Sequence, residues 1–278
     1  MNASLNVAVA QINCQLNDVA ANLEKHAHYI RQARDLGAGL LLFPELSLTG
    51  YQVGRQTPAV AMHRDDPRLS RLASLAPDMS VVAGFVERAG PGEFYNAMAY
   101  LKGGSVVHVH RKINLPTYGA LEEGKWFHRG CEVHSVEVRE HWRASCLICA
   151  DLWNPALAHC AFLQRPELML APINSASGVV SEHFSNEDNW QVNLRFYAMM
   201  YGTPVVMANR YGTEQDIRFW GGSCILGPAG ETLAEAEDGE GLIQAELDVA
   251  GIERARFDMP TVRDADTRLI RQLLKAHV

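Results

Sequence analysis

The chain has 278 residues, of which 47% are apolar, and 25 Lys+Arg against 32 Asp+Glu leave a net charge of −7. A chain of this size can bury a sizeable core, and its acidic balance excludes a general phosphate-binding surface, so neither nucleic acid nor an anionic membrane is expected as a partner. The composition is that of a folded soluble protein rather than a disordered or fibrous one.

Residues 5–12 alternate polar and apolar before becoming wholly apolar, which predicts a strand entering a core. From Asp18 to Leu36 the apolar positions Val19, Leu23, Ala27, Ile30 and Ala33 recur every three or four residues, predicting a helix that Gly37 stops. "LLLFP" at 40–44 predicts a short strand. A helix then begins near Asp66, with Asp66 as N-cap and Pro67 at its first position, and 81–87 returns to strand. "FYNAMAYL" and "SVVHVHR" flank Lys102-Gly103-Gly104 as a hairpin, so antiparallel pairing joins the crossover units and the sheets are mixed. Beyond lie a long loop at 112–130, a strand at 144–150, a helix from Pro155, a strand at 168–172, a helix around 187–201 and a strand at 204–209. A hairpin pair around "GPAG" and a C-terminal helix over 261–276 complete the reading. No linker, repeat or low-complexity tract divides residues 1–278, which read as one α/β domain.

The segment Met1-Asn2-Ala3-Ser4-Leu5 has no basic leader character, and no apolar run approaches the roughly 18 residues of a membrane span, so a cytoplasmic location is expected. Cys14, Cys131, Cys146, Cys149, Cys160 and Cys224 are scattered, several in strand-like runs, which suits reduced thiols better than a disulfide framework.

Three reactive side chains stand at the ends of apolar strands, where open α/β sheets place their sites. Glu45, beside a proline in "LLLFPELSLTGY", lies in a mainly apolar setting that would raise its pKa and suit it to proton transfer, or else it is a surface carboxylate in a turn. Lys112 in "HVHRKINLPTYG" is either a fixed ammonium facing developing negative charge or a solvated lysine. Cys149 in "ASCLICADLWNP" sits at a strand-to-helix turn, where backbone N–H groups and a nearby cation can hold a thiolate nucleophile, or it is an inert core cysteine, as Cys146 reads.

Taken together, Glu in "FPEL", Lys in "HRK" and Cys in "IC-x-D", in that order and with "LTGY", "LPTYG", "RFYAMMYGTPVVMANR" and "FWGGSCILGPAG" around them, resemble the nitrilase (carbon-nitrogen hydrolase) superfamily. The resemblance covers almost the whole chain. It implies a four-layer αββα sandwich of two mixed sheets flanked by helices, with Cys149 as nucleophile, Glu45 as general base and Lys112 stabilising the tetrahedral intermediate beside the backbone N–H of Ala150. Glu123, with Glu122 next to it, matches a second glutamate of the family and would orient Lys112 and substrate. No cofactor and no metal are implied, and family members commonly form homodimers or larger homo-oligomers.

True nitrilases usually carry Cys-Trp-Glu, whereas this chain has Cys149-Ala150-Asp151, so the resemblance leans to amide hydrolysis, including glutamine-like ω-amides or N-carbamoyl compounds. Many small-amide members have an arginine shortly after the nucleophile; here the run is Leu152-Trp153-Asn154-Pro155, leaving Arg210 as a possible partner for a substrate carboxylate. "C-x-D-L-W-x-P" looks like the glutaminase part of glutamine-dependent NAD synthetases, but no Ser-Gly-Gly loop is present, so a stand-alone amidase, or a glutaminase subunit of a separate synthetase, is expected. Tyr118, Trp153 and Asn174 are candidates for substrate contact and, with Trp220, for the pocket wall, the tryptophans being equally open to core or interface packing.

Other classes remain readable. Cys146 and Cys149 form a lone C-x-x-C that could be redox-active or half a zinc site. His108 and His110 share a strand face, as ligands in a metal-dependent hydrolase could. The triad could also survive in a non-catalytic regulator that binds a small molecule.

Overall fold

The computed structural model of the chain describes residues 4–277; Met1–Ala3 and Val278, the outermost residues of the expected domain and leader reading, lie outside the described residues. The first part runs Ser4–Gln11 (β1), Val19–Asp35 (α1), Leu40–Leu42 (β2), Thr57–Val60 (α2), Pro67–Ala73 (α3), Ser80–Gly90 (β3), Glu93–Lys102 (β4) and Ser105–Arg111 (β5). The middle runs Ser135–Arg139 (β6), Trp142–Cys146 (β7), Pro155–Phe162 (α4), Leu168–Ile173 (β8), Asn186–Tyr201 (α5) and Val205–Asn209 (β9). The last part runs Tyr211–Glu214 (β10), Ile217–Trp220 (β11), Cys224–Leu226 (β12), Thr232–Glu235 (β13), Gly241–Asp248 (β14), Val249–Asp258 (α6), Thr261–Asp264 (α7) and Thr267–Ala276 (α8).

Local chemistry sets the helix starts. Asp18 accepts a hydrogen bond from Ala21 N at α1, Asp66 from Arg68 N at α3, and Asn154 from Leu157 N at α4; each such cap is worth about 1 kcal/mol. Pro67 and Pro155 occupy first-turn positions whose N–H would go unused anyway.

The strands form two six-stranded mixed sheets, ordered β14-β1-β2-β3-β4-β5 and β13-β12-β9-β8-β7-β6, with β10-β11 as a separate ribbon. In each, the central strands pair in parallel and the flanking ones antiparallel. Period-two alternation decides which side chains go where. Leu5, Val7 and Val9 of β1 face the second sheet and meet Ala144, Cys146, Leu168, Leu170 and Val206 in one core. Ala8 and Ala10 face the other way, toward Ala27, Ile30 and Ala33 of α1 and Leu69 and Leu72 of α3. Met169, Ala171 and Met207 do the same for α4 and α5. Three apolar cores thus separate four layers, the αββα sandwich that the resemblance implies.

Two expectations need correction, and several strands lie outside what the sequence predicts. The strand expected at 144–150 is β7, which ends at Cys146, because the chain turns at Cys149 with a left-handed φ of +46°. The helix expected over 261–276 is broken into α7 and α8 at Ala265 and Asp266, where Asp266 caps the second piece by accepting from Leu269 N. The β10-β11 ribbon and β14 were not foreseen; β14 is half exposed along an edge of its sheet, so it lacks the dense apolar signal of the inner strands.

Candidate active site

The turns after β2, β5, β7 and β8 converge on one end of the sandwich and deliver Glu45, Lys112, Cys149 and Asn174. The Pro44–Leu46 turn lies against β3, where a Cβ on Gly84 would stand 2.3 Å from Leu46 N and 2.5 Å from Pro44 O. Only glycine admits the turn there. Phe43 N donates to Val82 O and Leu48 N to Gly84 O, so β3 fixes both flanks of Glu45.

Lys112 is fully buried between two carboxylates: Nζ donates to Glu45 Oε1 at 2.6 Å and to Glu123 Oε1 at 2.7 Å. Asn96 Nδ2 donates to Glu45 Oε1 at 2.7 Å and Tyr51 OH donates to Glu123 Oε1 at 2.6 Å. Glu45 is therefore wholly buried as expected, yet among polar partners rather than in a mainly apolar setting. Its second oxygen, Oε2, is buried with no hydrogen-bond partner.

Burial acts to neutralise Lys112, but Glu123 and Glu45 beside it hold its pKa well above the usual lysine range, so it is an ammonium. Burial pushes Glu123 up to about 7, with Lys112 acting to lower it and Glu45 to raise it. Burial and Glu123 keep Tyr51 a phenol, the form that donates. The Cys149 thiol is pushed well above its usual range by burial and by Glu45, with Lys112 and the Asn174 backbone N–H acting to lower it. The resting sulfur is thus a thiol that needs a base.

A third carboxylate, Asp151, ties together loops of the two sheets. Asp151 Oδ1 accepts from Ile113 N at 3.0 Å and Asn114 N at 2.6 Å, while Oδ2 accepts from Ile148 N at 3.0 Å. It ties the residues just after Lys112 to the residue just before Cys149. Asn174 Nδ2 donates to Glu45 O at 2.7 Å, so a residue of the second sheet also grips the peptide of Glu45.

Above this network lies a cavity of about 240 Å³ lined by Cys149, Ala150, Tyr118, Trp153 and Asn174, together with Tyr51, Phe184, Asn186 and Trp190. Cys149, Ala150, Tyr118, Trp153 and Asn174 are thus in the cavity wall, and Glu45, Lys112 and Glu123 are in the ion cluster that acts on Cys149. Sequence reasoning missed Asn96, Asp151, Asn186 and any role for Tyr51. Asn96 had a signal, as the single amide in an otherwise apolar strand; Asp151 had one in the "CAD" run.

Other readings land elsewhere. Glu122 is exposed and pairs with Lys125 at 3.2 Å. Trp220 lies in a separate crevice with Gln191 and Arg195. Arg210 is buried against Glu214, Cys14 O and Phe219, outside the cavity, so it cannot receive a substrate carboxylate there. His108 and His110 line a different cavity of about 430 Å³ with Arg64, Arg129 and His134. Among the described residues no three His, Cys, Asp or Glu side chains are grouped as metal ligands would be. Cys146 lies in the core between the sheets, where burial pushes its thiol well above the usual range.

A family model, "Carbon-nitrogen hydrolase", matches residues 6–257. The chain is 30% identical over 287 residues to a citrullinase of Francisella tularensis, covering 99% of this chain and 100% of that protein. It is also 30% identical over 233 residues to the glutamine-dependent NAD(+) synthetase of Thermotoga maritima, covering 82% of this chain but only 39% of that protein. Among solved structures, a mutant of the amidase from Nesterenkonia sp. AN1 superposes with a TM-score of 0.81 at 25% identity, over 96% of each chain. That amidase shows covalent addition of the acetamide moiety of fluoroacetamide at its active-site cysteine.

Proposed function

The chain belongs to the carbon-nitrogen hydrolase family and is a hydrolase of C–N bonds; from that premise we propose that it cleaves a small non-peptide amide through a thioester on Cys149. The observation that carries this reading is the state of Glu45: one oxygen is occupied by Lys112 and Asn96, and the other is buried and free to accept a proton.

Glu45 takes the thiol proton as Sγ attacks the amide carbonyl, and the oxyanion that forms is met by the Lys112 ammonium and the Ala150 N–H. Collapse breaks the C–N bond, Glu45 returns its proton to the departing nitrogen, and ammonia leaves the acyl group on sulfur. Glu45 then deprotonates water, which attacks the thioester and frees the acid and the thiol. Glu123 and Asn96 hold Lys112 and Glu45 in register through these steps, and Tyr51 holds Glu123. The covalent adduct recorded for the Nesterenkonia amidase, the acetamide moiety of fluoroacetamide on its cysteine, supports a nucleophilic sulfur at the place where Cys149 stands.

The test is ammonia release across a panel of amides, N-carbamoyl compounds and nitriles, with intact-protein mass measurement of Cys149. Turnover and an acyl adduct that both vanish in Cys149→Ala uphold the proposal. A wild-type protein that binds panel members yet never acquires an adduct would make it a binding protein instead. End-to-end similarity to a citrullinase favours one second reading, hydrolysis of an N-carbamoyl group by the same steps, which would be recognised by carbon dioxide released alongside ammonia.

We extend the proposal to a homodimer or larger assembly. Val192, Phe196 and Met199 are 68%, 44% and 48% exposed on one face of α5, an apolar surface of the kind a partner covers. Light scattering on wild type and Phe196→Glu checks this: a monomeric wild type ends the idea.

A further inference from the structure

Resting on the reading of Cys149 as nucleophile, we propose that the substrate is an uncharged amide with an aromatic or similarly apolar acyl body and a neutral hydrogen-bond donor at its far end. The cavity above Cys149 is walled by Tyr118, Leu121, Trp153, Val180, Phe184 and Trp190, and no lining residue is acidic or basic. The Trp153 ring centre lies 4.7 Å from Trp190 and 5.8 Å from Phe184, which makes a flat-sided apolar slot.

The nearest charges are already committed. Lys112 is bonded to Glu45 and Glu123, and Glu123 also to Tyr51, and none of the three charges is in the cavity wall, so none meets an ammonium or carboxylate on the acyl chain. Arg210 is sealed off with Glu214. A zwitterionic acyl chain, such as that of glutamine or citrulline, would lose its water here and gain no counter-charge.

What the cavity does offer is a pair of acceptors. Asn174 spends its amide nitrogen on Glu45 O and Asn186 spends its own on Ala176 O, which fixes both side chains with oxygen as the remaining polar atom. Both Oδ1 atoms are buried and have no partner. Asn174, whose backbone N–H lies beside the Cys149 sulfur, suits the N–H of the scissile amide. Asn186 is one helical turn before Trp190 on the α5 wall and suits a donor farther along, a hydroxyl or second amide N–H. Two such oxygens also repel a carboxylate.

The experiment compares kcat/KM for 4-hydroxyphenylacetamide, phenylacetamide, hexanamide, L-glutamine and L-citrulline, with mass measurement of the Cys149 adduct. The neutral amides are expected to exceed glutamine and citrulline by at least about 100-fold, and the hydroxyl to improve on phenylacetamide by about tenfold. In Asn186→Leu the ratio between those two aromatic amides falls to about one. Should that variant fail to fold, Asn186→Ala, which also removes the acceptor and adds no bulk, is read the same way against wild type. Glutamine or citrulline turned over as well as the neutral amides, in a Cys149-dependent way, overturns the neutral-substrate proposal and leaves the amidase reading standing. No adduct with any amide overturns the amidase reading itself. A hydroxyl preference that survives both Asn186 variants removes Asn186 from the recognition.

Discussion

Lys112 and Arg210 are both cations with 0% exposure, and each is surrounded by carboxylate, yet they do opposite things. Arg210 has one carboxylate, Glu214, and its remaining contacts are Cys14 O, Asn13 Oδ1 at 3.3 Å and the Phe219 ring at 4.5 Å. Charge is balanced there. Glu214 in turn accepts from Tyr51 N at 3.0 Å and Gln52 N at 2.7 Å, so the pair braces the turn that carries Tyr51. Lys112 has two carboxylates, and one oxygen of Glu45 is left over. A balanced buried pair positions backbone, whereas an unbalanced one with an unused acceptor is ready to move a proton. Tyr51 links the two, since its peptide belongs to the first and its hydroxyl to the second.

The comparison is broken most severely by removing the charge at each centre. Cys149→Ala or Lys112→Met is expected to lower kcat/KM by at least about 10⁴-fold, measured as ammonia release; residual activity within tenfold of wild type would move the chemistry elsewhere. Arg210→Met leaves Glu214 buried without a counter-charge and is expected to cost about 3–5 kcal/mol of stability, read from denaturant midpoints. Replacing both partners, Arg210→Met with Glu214→Leu, recovers most of that loss. No paired apolar replacement at Lys112 recovers activity, and that asymmetry is the sharper test.

Glu123 gives the pH signature. Its folded pKa of about 7 lies above the ordinary 4.5, so the folded state binds the extra proton between those values. Its contribution to stability is therefore full at low pH and is lost as pH rises through 7. Glu123→Gln should flatten that slope, which denaturant titrations between pH 5 and 8 would show; an unchanged slope assigns the proton to another group. The smallest effect is Tyr51→Phe. It removes one hydrogen bond to a carboxylate, about 1.5–3 kcal/mol, and should lower kcat by roughly tenfold and the denaturant midpoint by less than Arg210→Met does, while leaving the Arg210 centre intact.

The parts of this molecule legible in the sequence are those whose signal is local. An apolar run followed by Glu45, Lys112 or Cys149 shows itself within a dozen residues, and the caps at Asp18, Asp66 and Asn154 with their prolines mark helix starts directly. What could not be read depends on meetings across the fold. Asp151 matters because it reaches Ile113 and Asn114 on the other sheet's loop, and nothing near Asp151 in the chain says so. Arg210 read as available to substrate because its partner Glu214 lies on a ribbon that periodicity did not reveal. Trp220 failed for the same reason: its strand was unseen, so its side of the sheet was unknown. The break between α7 and α8 turns on Asp266, a cap hidden in a continuous polar stretch.

The division of labour between the sheets reaches beyond catalysis. Glu45, Asn96, Lys112 and Glu123 all precede residues 124–134, the last part of the connection from β5 to β6, while Cys149, Asp151 and Asn174 all follow it. A protease that nicks this connection would leave two fragments, one with Glu45, Lys112 and Glu123 and one with Cys149, held together by the packing of Leu5, Val7 and Val9 on Ala144, Leu168 and Val206 and by β14 lying along β1. Neither fragment alone holds the whole cluster. Turnover by the nicked protein is then a direct reading of how firmly the halves cohere, which makes this connection a natural place to divide the chain for a complementation reporter.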